Sequence, residues 1–202
     1  MFKIAVLVSG GGTNLQSIID AVEKGDLNCK IEMVISSKEG VYALDRAKKH
    51  GIQSHVISRK EHGIEQSSKV LELTKGKVDL IVLAGYLSIL DGEILDEFHN
   101  KIINIHPSLI PSFCGPQMYG LKVHEAAINK GVKVSGCTVH FVNNEVDGGA
   151  IILQEAVPVY FEDDAEILQK RVLVKEHLLL PKVIKLISEN KVQVIDGKVK
   201  IG

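Results

Sequence analysis

Three short stretches of this 202-residue chain combine residue types that could do chemistry. Asn104-Ile105-His106-Pro107-Ser108 sets an amide and an imidazole two residues apart at the end of an apolar run. In a strand that spacing puts both side chains on one face, where their N–H groups can hold a carbonyl oxygen as it gains charge. Val146-Asp147-Gly148-Gly149 offers a carboxylate at a sharp turn. Within about 4–6 Å of His106, that carboxylate would raise the imidazole pKa and favour the imidazolium. Ser9-Gly10-Gly11-Gly12-Thr13-Asn14 follows another apolar run and opens a helical pattern. Its amides and the helix N-terminus can cradle a phosphate, with Thr13 or Asn14 capping the helix. Alone, each motif has an ordinary reading: a strand-end histidine, an Asp-Gly turn, a tight strand-to-helix turn. Together they point to chemistry on a phosphorylated substrate.

Other chemistries fit less well. Leu15 stands where a dinucleotide fingerprint needs its third glycine, and Ile35-Ser36-Ser37 stands where it needs an acid. No Gly-Lys-Ser/Thr follows the loop, so a monophosphate ester suits it better than NAD or ATP. His50, His55, His62, His99, His124 and His177 lack metal-ligand spacing, and His140 reads as a core or supporting residue, so no metal is expected. Ser9 and Ser108 lack a nucleophile elbow.

The elements that must position these groups follow from the apolar pattern. Short β-branched runs at Lys3–Val8, Lys30–Ile35, His55–Ile57, Leu80–Ala84 and Ile102–His106 alternate with helical spacings such as Leu15, Ile18, Ile19, Val22. That alternation predicts an α/β fold, a doubly wound, mostly parallel sheet. Gly136–Val142 and Ala150–Val157 are joined by too few residues for a helical crossover and read as antiparallel late strands. A long C-terminal helix is expected from about Ala165 to Ser188, then a hairpin turning at Asp196-Gly197. Ligands bind such sheets at the carboxyl ends of the strands, which selects Ser9–Asn14, Ala84–Leu90, Asn104–Pro111 and Asn143–Gly149. One domain over 1–202 is expected, with a phosphate-binding parallel half (1–103) and a catalytic half (104–202).

Composition bounds the partners. Lys plus Arg (24) nearly cancels Asp plus Glu (25), giving a net charge of -1 and no global field for nucleic acid or acidic membrane. Cys29, Cys114 and Cys137 form no paired spacing, and no apolar run reaches the roughly 18–20 residues that span a bilayer. A cytoplasmic enzyme acting on small molecules, with no nucleic-acid or membrane partner, is the expectation.

Ser-Gly-Gly-Gly-Thr-Asn-Leu-Gln at 9–16, Leu-Ala-Gly-Tyr-Leu at 83–87, Asn-Ile-His-Pro-Ser-Leu-Ile-Pro-Ser-Phe at 104–113, and Val-His-Phe-Val followed by Val-Asp-Gly-Gly within 139–149 resemble the phosphoribosylglycinamide formyltransferase family. The resemblance runs from Lys3 to about Glu189 and implies a Rossmann-like formyltransferase fold, acting as a monomer or homodimer. It implies transfer of the formyl group of 10-formyltetrahydrofolate, a cosubstrate, to the amino group of glycinamide ribonucleotide in purine biosynthesis, without a metal. By resemblance, Asn104, His106 and Asp147 are catalytic, while Gly12, Thr13, Asn14 and Glu176 bind the ribonucleotide. Arg59, Leu87, Ser88, Ile89, Leu90, Asn104, Asn143, Asn144, Glu145, Val146 and Asp147 surround the folate. Two departures stand out: Cys114–Leu121 is longer than the usual connection, and Ser88 replaces a longer side chain. A formyltetrahydrofolate hydrolase would be expected to carry an added N-terminal domain, and a methionyl-tRNA formyltransferase an added basic C-terminal one. A non-catalytic sugar-phosphate-binding module could share the fold but would not need Asn104, His106 and Asp147 together.

Overall fold

A computed structural model describes residues 1–202. Seven strands form one sheet: β1 (Phe2–Val8), β2 (Cys29–Ser36), β3 (Ser54–Val56), β4 (Leu80–Leu83), β5 (Ile102–His106), β6 (Val134–Phe141) and β7 (Ile151–Pro158). Their order is β3-β2-β1-β4-β5-β6-β7. The first five are mutually parallel, and β6 and β7 run antiparallel, as the short 143–149 connection required. The chain builds outward from β1 in both directions, so a switch point lies between β1 and β4.

Strand β1 shows why the apolar runs are continuous. Ile4 to Val8 are all fully buried, with Ile4, Val6 and Val8 facing one core and Ala5 and Leu7 the other. On the first face lie α1 (Thr13–Glu23), through Leu15 and Ile18, and α7 (Ala165–Ser188), through Leu168, Val172, Leu179 and Val183. Burial of each such aliphatic side chain is worth about 1.5–3 kcal/mol. The second face is covered by α4 (Gln66–Thr74) and α5 (Glu93–Glu97), through Val70, Leu71, Ile94 and Leu95. These two helices, and one-turn α3 (Arg59–His62), occupy crossovers where the apolar pattern marked no helix. Short polar segments such as Gln66-Ser67-Ser68-Lys69 dilute the helical period there.

Helix α2 (Tyr42–Lys49) packs over the glycine-rich loop, α6 (Leu121–Lys130) follows the Cys114 segment, and β8 (Val192–Ile195) and β9 (Lys198–Ile201) form the terminal hairpin. Asp196 and Gly197 both have positive φ, as a type I′ turn demands. Asp164 caps α7 by accepting the Ile167 amide at 2.8 Å, and Asp163 pairs with Arg171. Helix α1 corrects one expectation. Its N-cap is Gly12, at φ 70°, with no side-chain cap, so neither Thr13 nor Asn14 serves that role and the first-turn amides stay open. No helix is long and apolar enough to cross a membrane.

Candidate active site

Antiparallel pairing of β5 with β6 sets Asn104 opposite His140 and His106 opposite Thr138, four side chains on one face of the sheet. His140, 2% exposed, donates from Nδ1 to the Phe141 carbonyl at 2.8 Å. Its Nε2 is thereby the acceptor, and Asn104 Nδ2 donates to it at 3.2 Å. Of the two readings of His140, core or supporting residue, the supporting one describes its part here: it is buried and orients the Asn104 amide. The signal was present in the alternation of Thr138, His140 and Val142, but which strand faced β5 was not. Thr138 Oγ1 donates to the Ser108 carbonyl at 2.7 Å and accepts from the Ile110 amide at 3.1 Å. That pins the Pro107–Pro111 exit next to His106.

Asp147 lies over this face. Its two carboxylate oxygens stand 3.6 Å from His106 Nδ1 and 3.6 Å from His140 Nε2. The backbone amide of Gly115 donates to Asp147 Oδ2 at 2.8 Å, and His106 Nε2 donates to the Phe113 carbonyl at 2.9 Å. The segment 113–115 therefore ties both residues, one through a carbonyl and the other through an amide. Phe113 and Asp147 both adopt positive φ, a conformation that a bulky residue such as Phe113 seldom takes outside constrained sites and that aspartate tolerates more readily. Gly149 makes the close approach possible, since a Cβ there would lie 1.8 Å from the Phe141 carbonyl oxygen.

Electrostatics revise the expected charge on His106. Burial disfavours its imidazolium and outweighs the Phe113 carbonyl and Asp147, so its pKa is lowered, not raised. Asp147 does pull upward, as expected, but loses to desolvation. Burial would also push the Asp147 carboxyl up, yet the Gly115 amide hydrogen bond and the adjacent His140 and His106 rings hold it below its ordinary value. The resting pair is thus a neutral imidazole beside a carboxylate. His124, fully buried, is pushed down to about 4 by burial, with His106 adding to the shift.

At the switch point, Ser9 Oγ accepts the Leu87 amide at 2.8 Å and lies 2.6 Å from Ser37 Oγ, joining the ends of β1, β2 and β4. Gly12 cannot carry a side chain: a Cβ would sit 2.6 Å from Ala43 Cβ. Thr13 is exposed, but Asn14 is buried and its Nδ2 donates to Glu176 Oε2 at 2.7 Å. The Asn14 side chain therefore points into the fold toward Glu176, and only its backbone amide faces the cradle. Burial raises the Glu176 pKa against the opposing Asn14 hydrogen bond.

Around the remaining edge, Leu87 and Ile89 are exposed, Ser88 is half-buried and Leu90 is buried, all following β4. Asn143, Asn144, Glu145 and Val146 are exposed on the loop that carries Asp147. Arg59 opens α3 at the carboxyl end of β3, exposed and without an ion-pair partner. A groove of about 730 Å³ runs instead between α1 and α7, lined by Thr13, Arg46, His177 and Lys185 among others. It contains none of Asn104, His106 or Asp147, so volume alone does not mark the chemistry.

Residues 2–184 match the formyl transferase family. Phosphoribosylglycinamide formyltransferase of Haemophilus influenzae is 45% identical over 200 residues, covering 98% of this chain and 92% of that one. Glycinamide ribonucleotide transformylase 1 of Symbiobacterium toebii superposes with a TM-score of 0.93 at 40% identity, covering 100% and 94% of the two chains. A formyltetrahydrofolate deformylase of Pseudomonas syringae shares the fold at a TM-score of 0.90, but at 27% identity and over 65% of its length. The chain belongs to the formyl transferase family, among the phosphoribosylglycinamide formyltransferases, and is a transferase with a Rossmann-like formyltransferase fold.

Proposed function

We propose that the protein transfers the formyl group of 10-formyltetrahydrofolate to the amino group of N1-(5-phospho-D-ribosyl)glycinamide, giving formylglycinamide ribonucleotide and tetrahydrofolate, a step of purine biosynthesis. The observation that carries this reading is the Asn104–His140–Asp147–His106 constellation on the end of the sheet that also carries the open amides of the Ser9–Asn14 loop. The parallel half presents the phosphate loop, and the half from 104 onward presents the reacting groups. Gly12, Thr13 and Asn14 hold the phosphate through backbone amides, while Glu176, anchored by the Asn14 side chain, contacts the glycinamide portion of the ribonucleotide. Leu87–Leu90 and Asn143–Asp147 flank the pterin, and Arg59 meets the acidic tail of the folate.

Chemistry follows from the protonation states. The substrate amine attacks the formyl carbon, and the carbonyl oxygen gains charge. Asn104 Nδ2 and His106 Nε2–H donate to that oxygen, which takes the place of the Phe113 carbonyl at His106. Each such donor is worth about 3 kcal/mol of barrier. The amine proton, carried by water, passes to the free Nδ1 of neutral His106, and Asp147 stabilises the imidazolium formed. As the bond from the formyl carbon to N10 breaks, that proton returns to the leaving nitrogen, so protons balance over the cycle. His106→Ala is expected to lower formyl transfer by on the order of 10²–10⁴ without loss of the folded state. Near-normal turnover of this variant, measured by release of tetrahydrofolate, would contradict the assignment.

A further inference from the structure

Two consecutive carbonyls of the phosphate loop are pulled away from its mouth by α2. The Ala43 amide donates to the Gly10 carbonyl at 3.2 Å, and Arg46 Nε donates to the Gly11 carbonyl at 2.9 Å. In a trans peptide the C=O and the following N–H point in opposite directions, so turning these carbonyls toward α2 turns the Gly11 and Gly12 amides toward the cradle. Neither amide has an acceptor within the protein. Arg46 also donates from Nη1 to Gln16 Oε1 in the first turns of α1 at 2.8 Å, so one guanidinium bridges the loop and the helix it opens. The guanidinium stacks 4.7 Å from the Tyr42 ring centroid, which fixes its plane. Both of its hydrogen bonds end on neutral oxygens and no carboxylate pairs with it directly, so its positive charge is left uncompensated beside the loop.

We infer that Arg46 is a positioning residue for phosphate recognition: it holds the Gly11–Gly12 peptide so that the loop amides face the phosphate, and it lends that anion a fixed counter-charge from behind. The inference rests on reading Ser9–Asn14 as the phosphate site. Arg46 lies 35 residues from Gly11 in sequence, and the chain pattern gave no reason to select it. A lysine would keep the charge but not the planar fork that reaches two acceptors at once.

The test compares the ribonucleotide substrate with its dephosphorylated riboside. Arg46→Gln is expected to raise KM for the ribonucleotide by about tenfold or more, with kcat falling far less. Its kcat/KM for the riboside and its KM for the folate cosubstrate are expected to stay within about twofold of wild type. Inorganic phosphate, which should raise the wild-type unfolding midpoint, should do so less in the variant. An unchanged KM for the ribonucleotide, or an equal loss on ribonucleotide and riboside, overturns the inference. If R46Q does not fold, Arg46→Lys carries the same test, with a smaller rise in KM confined to the phosphorylated substrate. A wild-type enzyme that transfers formyl equally well to both substrates would refute the phosphate reading while leaving the formyl transfer reaction intact. A wild type with no transfer at all would refute the proposed function itself.

Discussion

At the scale of single residues, burial and charge pull His106 in opposite directions, and burial wins. Activity that needs the neutral imidazole is therefore retained down to lower pH than an exposed histidine would allow. Replacing Asp147 by Asn removes one of the groups that draw the His106 pKa upward, so the acid limb of kcat/KM should move to still lower pH. The rate on the plateau should fall by about 10²–10⁴, because the imidazolium loses its carboxylate. An acid limb that stays put or moves to higher pH would contradict the pairing. Glu176 carries the reverse sign, since burial raises its pKa. The stability this group contributes is complete below its unfolded pKa and is lost as pH rises through the folded one. Glu176→Gln keeps the hydrogen-bond partner and deletes the titration, so its unfolding midpoint should gain on wild type as pH rises above the ordinary carboxylate range. A gap that does not widen would show that Glu176 is not held against its charge. Residue types and spacing made Asn104, His106 and Asp147 legible. The protonation state of His106 was not, because desolvation depends on what the fold stacks around it.

At the scale of elements, the site exists because an antiparallel pair follows five parallel strands, so that β6 sets His140 and Thr138 against Asn104 and His106. The strand runs were readable to within a residue or two, since strands buried on both faces leave continuous apolar stretches. Helices α3 to α5 were not readable, since short polar helices leave no period. The segment from Phe113 to Gly115 was equally opaque: it contributes a carbonyl and an amide, groups every residue possesses. The loop bearing Asp147 depends on two adjacent glycines for different reasons. A Cβ at Gly149 would meet the Phe141 backbone oxygen at 1.8 Å, whereas one at Gly148 would meet only the movable Glu145 side chain, at 2.5 Å. Gly149→Ala should therefore cost more than about 2 kcal/mol and depress turnover, while Gly148→Ala should cost less than about 1 kcal/mol. Denaturant unfolding of the two variants distinguishes them, and equal costs would contradict the packing described.

At the scale of the whole molecule, a near-neutral chain of 202 residues concentrates its polar chemistry at one end of one sheet. The sheet switches direction between β1 and β4, which places the glycine-rich loop beside the Leu87–Leu90 segment, with β5 and its Asn104 and His106 next in order. With no tryptophan and only 9 aromatic residues, the proposed pterin wall at Leu87 to Leu90 and Asn143 to Val146 offers aliphatic and backbone groups, not ring stacking. On the proposed reading, a site built this way couples two substrates: the ribonucleotide is held by its phosphate on the glycine-rich loop while the formyl carbon is held over Asn104 and His106. The central claim is therefore tested most directly by supplying purified protein with 10-formyltetrahydrofolate, with and without glycinamide ribonucleotide, and following tetrahydrofolate and the formylated ribonucleotide together. Equal amounts of the two products, formed only when the amine is present, are predicted; tetrahydrofolate released with formate at the same rate without the amine would contradict the account.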